Sequence, residues 1–201
     1  MVSLYEIKDW IPAFAGMTHV KKERFMVTLM RWIDRKFNFD FPVGMLPCIV
    51  ERLRGMPFRL EEMTQSLSEE ALGRHIDNGW SIKEHIGHLS DVHPLWDARL
   101  EQLLSGVDEL VAADMSNRKT QEADHNARAL PDLLADFGRL RLNFVARLER
   151  LSDDDAARSA MHPRLSQPMR IVDLAFFAAE HDDQHAALIT QLIKALPGGT
   201  K

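Results

Sequence analysis

Nine histidines stand in this sequence, and two of them, His181 and His185, are four residues apart in a run of helical periodicity. On a helix that spacing sets both rings on one face, with Cβ atoms about 6 Å apart. Each ring can then offer a nitrogen to one transition-metal ion about 2 Å away. Leu174, Phe177, Leu188 and Leu192 fall in the same direction around the helix, so the pair points inward. A buried neutral imidazole needs a partner, and a metal ion satisfies both rings. The plainer alternative is a pair of core histidines hydrogen-bonded to carboxylates, for which Asp91 or Glu84 would serve. The spacing alone arises easily by chance among so many histidines.

Holding a metal while leaving a coordination position open takes a third nitrogen. His85, His88 and His93 offer one from a second helix. His88 lies between Ile86 and Leu89 on the buried side, His85 is a turn earlier, and His93 stands beside Pro94. Either of the last two can line a cavity as an acid–base or supporting group. Spacing does not choose among the three.

Four segments of helical periodicity position these residues, and strand-like alternation is missing, which predicts an all-α four-helix bundle. The first covers residues 45–65, with Pro57 expected to split it. The second begins at Trp80, where Ser81 and Glu84 have capping-box spacing, and a kink or break is expected at Pro94. The third starts at Pro131 and ends near residues 152–155. The fourth runs over residues 171–196 and is stopped by Pro197, Gly198 and Gly199. Residues 67–79 and 159–170 read as short linkers, and residues 105–129 as a long polar one of the sort that carries function or crosses a bundle. Phe25, Leu29, Met30 and Ile33 suggest a short accessory helix.

A chain of 201 residues with 45% hydrophobic and 27% charged side chains suits a globular protein with a real core. Its net charge of -5 supplies no basic field for nucleic acid or an anionic membrane. One cysteine, Cys48, rules out an intramolecular disulfide framework and any cysteine-rich zinc site. No export signal shows in the opening residues, and the most apolar stretch, residues 171–179, is half a membrane span. A soluble cytoplasmic protein is expected.

The string WSIKEHIGHLSDVH, residues 80–93, resembles the signature of the DinB/YfiT-like metalloenzyme family. In that signature a tryptophan starts a helix and a histidine eight positions later binds metal, which here is His88. EHDDQHAALITQL, residues 180–192, is similar to the family's C-terminal histidine pair and makes His181 and His185 the remaining ligands. Similarity extends to FPVGMLPCIVERLRG, residues 41–55, to His162-Pro163 and to DMSNRKTQEADHN, residues 114–126, and so spans about residues 28–196. Two departures stand out: Gln184, where many relatives carry another histidine, and Pro94 inside a helix usually free of proline. KDWIPAFAGMT, residues 8–18, resembles a translated intergenic repeat, which makes residues 1–25 an extension expected to be poorly ordered and Met26 a candidate start of a bundle domain over residues 26–201.

The resemblance implies a divalent transition metal, zinc, nickel or iron, and metal-dependent chemistry on a small-molecule substrate. Transfer of a low-molecular-weight thiol, known in the bacillithiol and mycothiol branches, comes first, with His93 or His162 carrying the proton. Metal-dependent hydrolysis of an ester or amide is the alternative, and a metal-binding stress-associated protein without turnover a third. A homodimer is expected, with neither nucleic acid nor membrane as partner.

Overall fold

Apolar residues that recur every three or four positions fold as helices and bury those faces against one another. The computed structural model describes residues 27–196. Its long helices are α1 (Leu46–Thr64), the consecutive α3 (Ile82–Asp91) and α4 (His93–Ser105), α6 (Leu130–Leu148) and α8 (Ile171–Ala195). Short helices α2 (Glu69–Leu72), α5 (Arg118–Glu122) and α7 (Asp153–Ala157) lie in the connections. Both α1 and α3 pack chiefly on α6 and α8. Helix α1 and the α3–α4 pair, neighbours in sequence, therefore face each other across the diagonal of a four-helix bundle.

Local signals explain several boundaries. Ser81 Oγ accepts the Glu84 amide and the Glu84 carboxylate accepts the Ser81 amide, which fixes the start of α3. Pro94 breaks the second segment: it occupies the first turn of α4, where it deprives no carbonyl of a helical bond. Pro57 does not split α1, which runs through it unbroken. Leu53, Met56 and Leu60, all essentially inaccessible, pin the helix on both sides of the missing amide. Where the third helix was expected to stop, Ser152 and Asp155 form a second capping box and start α7.

Strands do occur. Ser159–His162 (β1) and Gln167–Arg170 (β2) pair antiparallel, His162 opposite Gln167, in the stretch expected to be a plain linker. Four residues per strand are too few to display alternation, yet the segment still satisfies its backbone groups by folding back on itself. Among the described residues, the expected accessory helix does not form. Trp32–Asp34 forms one 3-10 turn, and Val27, Met30 and Ile33 are exposed. Trp32 packs instead, on Phe37 and Phe177, and Gln184 Nε2 donates to the Met30 carbonyl at 3.0 Å, tying this segment to α8. The expectations for residues 1–25 and for the stop at Pro197 lie outside the described residues. Among those described, no helix is long and apolar enough to cross a membrane.

An ion pair between Arg141 and Asp182 sits inside the bundle. Arg141 of α6 donates from Nη2 to Asp182 Oδ1 of α8 at 2.7 Å, and both side chains are 0% exposed. Arg141 Nε and Nη1 and Asp182 Oδ2 have no partner. Burial pushes the Asp182 carboxyl up to about 6 despite the arginine beside it, and burial likewise lowers Arg141. Both shifts point the same way: the attraction does not repay the desolvation of the pair. Asp182→Ala, which strands the guanidinium, is expected to cost about 3–5 kcal/mol. The double variant Arg141→Met/Asp182→Leu is expected to stay within about 1 kcal/mol of the parent or exceed it. Urea midpoints check both, and equal losses would make the pair a net stabiliser.

Candidate metal centre

His88 projects from α3, and His181 and His185 from successive turns of α8. One ring nitrogen from each lies within 4.8 Å of the other two, and all three side chains are buried. Tetrahedral Zn–N bonds would set the nitrogens roughly 3.3 Å apart, a difference that ring rotation can close.

Hydrogen bonding decides which nitrogen His88 presents. Thr120 Oγ1 donates its single proton to Asp91 Oδ2 at 3.0 Å. The contact between Thr120 Oγ1 and His88 Nδ1, also 3.0 Å, must therefore be a bond donated by the imidazole. Its Nε2 keeps a free lone pair, the form a metal takes. His125 Nε2 completes the chain by meeting Asp91 Oδ2 at 2.7 Å. Burial pulls the Asp91 carboxyl up, but His125, Thr120 and Lys119 together hold it below its usual value. This path needs Gly87, because a Cβ there would stand 2.3 Å from the His125 ring. On α8, His185 Nδ1 meets His85 Nδ1 at 2.9 Å, and a proton on His185 Nδ1 frees its Nε2 as well. His181 Nδ1 is buried without a partner. Three neutral imidazoles, one with the lone pair that its hydrogen bonding leaves free and one with an orphaned nitrogen, fit a divalent cation.

The rings are walled by tryptophans. Trp80 lies 4.8 Å from His88, and Trp32 and Trp96 lie 5.1 and 5.6 Å from His181, centroid to centroid. Burial in this surface lowers His88 and His85 to about 4 and His181 and His185 well below the ordinary value. All stay neutral at physiological pH. The three histidines open on a cavity of about 770 Å³, whose apolar lining includes Val92, Leu95, Phe177 and Leu188.

The two residues expected to carry protons part ways. His162 lines the cavity from the end of β1. Its Nδ1 accepts the Leu165 amide at 3.2 Å, so the ring proton sits on Nε2, and burial with Arg99 and Arg164 nearby lowers the group to about 4. In that tautomer Nε2 carries a proton and has no hydrogen-bond partner among the described residues. His93 does not line the cavity. Its ring is fully buried against Phe144, with neither nitrogen hydrogen-bonded and Nδ1 3.5 Å from Asp97 Oδ2, because the break before α4 turns it toward α6. Thr120, His125 and Gly87 were missed as site residues. Thr120 and His125 belong to the long polar connection, and all three fall in stretches that carry the family similarity, but nothing in the sequence ties them to His88.

Among curated proteins the chain has no significant match. Of solved structures, YfiT from Bacillus subtilis, described as a probable metal-dependent hydrolase with an unusual four-helix bundle topology, is similar in fold, with a TM-score of 0.69 and 21% sequence identity. The likeness covers 80% of this chain and 92% of that one. Residues 52–189 match the DinB superfamily, well over half of the sequence, and the chain belongs to that superfamily.

Proposed function

We propose that this chain is a metal-dependent enzyme that brings a low-molecular-weight thiol to an electrophilic organic substrate. The observation that carries the reading is three neutral imidazoles, His88, His181 and His185, gathered at the wall of a cavity large enough for two reactants. Zinc, nickel and ferrous iron all suit imidazole, and any of them, when bound, supplies a Lewis-acid position that makes a thiol or a water a better nucleophile near neutral pH. Trp80, Trp32 and Trp96 pack against the histidine rings and lower the polarity around them. Thr120 and Asp91 hold His88 in the ligating tautomer, and His85 fixes His185.

Hydrolysis is the second reading, favoured by the description of YfiT. The lining carboxylates weigh against it. Asp91 is engaged by His125, Thr120 and Lys119, and Asp114 by Ser116 and the Arg118 amide. No unengaged carboxylate among the described residues is poised to take a proton from water. A thiol, with a pKa of about 8.5, asks less of a base.

Metal-loaded protein is expected to accelerate conjugation of a small thiol to chlorodinitrobenzene above protein-free controls. His88→Ala and His181→Ala are expected to lose bound metal and about a hundredfold or more of that rate. A rate on ester and amide panels with none on thiols would replace the reading with hydrolysis.

Metal affinity should respond weakly to acid. The buried rings stay neutral until the pH nears 4, so protons do not compete. Between about pH 7.5 and about pH 5.5 the zinc dissociation constant is expected to rise no more than about tenfold, where three ordinary imidazoles would lose roughly a thousandfold. Competition with a chromogenic chelator measures it, and a thousandfold loss would show solvated rings.

Gly87→Ala should push His125 off Asp91 and loosen His88 at one remove. The expected loss of metal affinity is about ten- to hundredfold with the helical content kept. Unchanged affinity would detach His125 from the centre.

A further inference from the structure

Four side chains lining the cavity carry N–H donors for which the described residues provide no acceptor. Trp96 Nε1 and Arg164 Nη2 are buried without a partner, and so is His162 Nε2, which holds the ring proton because Nδ1 is already accepting. Arg99, 1% exposed, gives Nε and Nη2 to the Val111 carbonyl at 3.1 and 2.9 Å and has no bond for Nη1. Arg164 is held over the rings of Trp32 and Phe177, with only the Ile33 carbonyl at 3.4 Å against Nη1.

Neither arginine meets a carboxylate among the described residues. Arg35, Arg52, Arg59 and Arg141 each do. The cavity's own acids, Asp91 and Asp114, are engaged elsewhere, as shown above. Two guanidinium groups and two further donors thus stand in the wall of a largely apolar cavity, with N–H groups left over after the Val111 and Ile33 carbonyls are used. Unpaired charge in such surroundings is costly, and a ligand that brings oxygen lone pairs removes the cost. A carboxylate has the matching inventory: two oxygens, about four lone-pair directions and the planar shape that guanidinium forks accept.

The donors and the imidazole triad share one aromatic wall. Trp96 lies 5.6 Å from His181 and 6.0 Å from Phe177, and Phe177 lies 5.3 Å from His162. A ligand anchored at the arginines must run along this wall to reach the histidines.

We propose that Arg99, Arg164, His162 and the Trp96 indole N–H form a carboxylate-binding subsite. The substrate of the cavity is accordingly an organic acid whose apolar part lies along Trp96 and Phe177 toward His181. This assignment rests on the cavity being the substrate site, and it deepens that reading by naming the substrate class.

The test is binding in metal-free full-length protein, so that it does not depend on the centre being active. Phenylbutyrate and its uncharged amide are titrated while the intrinsic fluorescence of the cavity tryptophans is followed, with calorimetry as the second readout. The acid is expected to bind about tenfold tighter than the amide or better. Arg164→Met, at a partly exposed position, should abolish that preference while leaving amide binding and the melting temperature unchanged. Arg99→Met should do the same if it folds. His88→Ala, which removes metal, should keep the full preference. Equal binding of acid and amide, absence of binding by either, or a preference that survives Arg164→Met would each overturn the subsite. Tighter binding of phenyl phosphate than of the acid would overturn its assignment to carboxylates. Loss of metal or of thiol conjugation would alter none of these readings, so the two proposals fail separately.

Discussion

An imidazole nitrogen buried in an apolar interior has to be partnered, and the arrangement of this bundle follows from meeting that need several times at one place. His88, His181 and His185 are packed among tryptophans where protonation is disfavoured. Neutral rings keep one lone pair each, and a lone pair turned into a hydrocarbon wall is a defect unless something electropositive sits against it. The chain resolves the outer nitrogen of His88 through Thr120 and Asp91, and couples His185 to His85. What is left over faces inward, toward a common point.

The bundle's connectivity makes that convergence possible. With α1 and the α3–α4 pair across a diagonal, α3 lies directly against α8, and both faces that bear histidines meet without an intervening helix. The charged pair Arg141–Asp182 lies one residue along from His181 and spans α6 and α8. On the outer side of α8, Glu180 and Asp183 are held by Arg35, Arg52 and Arg59. The stretch Glu180–His185 thus alternates between a partly exposed ionic face and a buried one, which is how a helix can carry so many polar groups and still fill a core.

Much of this was legible from residue types and spacing. The i, i+4 relation of His181 and His185 and the apolar residues around them indicated an inward pair, and the four apolar stripes indicated the bundle. The choice of His88 over His85 and His93 was not legible from spacing, because all three lie within a turn or two of one another. The family signature made it. Pattern also understated the connections. Four-residue strands leave no periodic trace, and Thr120 and His125 reach the site through the path of a long loop, which no local rule specifies. Arg141 could have been read, since it precedes Val145 by one turn and Leu148 by two and so falls on the buried stripe of α6. Gln184 departs from the family's histidine, and the structure gives it a separate use in holding the Met30 carbonyl.

Closing the triad joins parts of the chain that are far apart in sequence; the contact between His85 and His185 alone spans 100 positions. During synthesis α3 leaves the ribosome long before α8 does, and until α8 docks, His88 has no companion imidazoles. A cation therefore has no complete seat on the nascent chain. Metal acquisition becomes an event of the collapsed bundle, and metal capture then reports that α8 has docked.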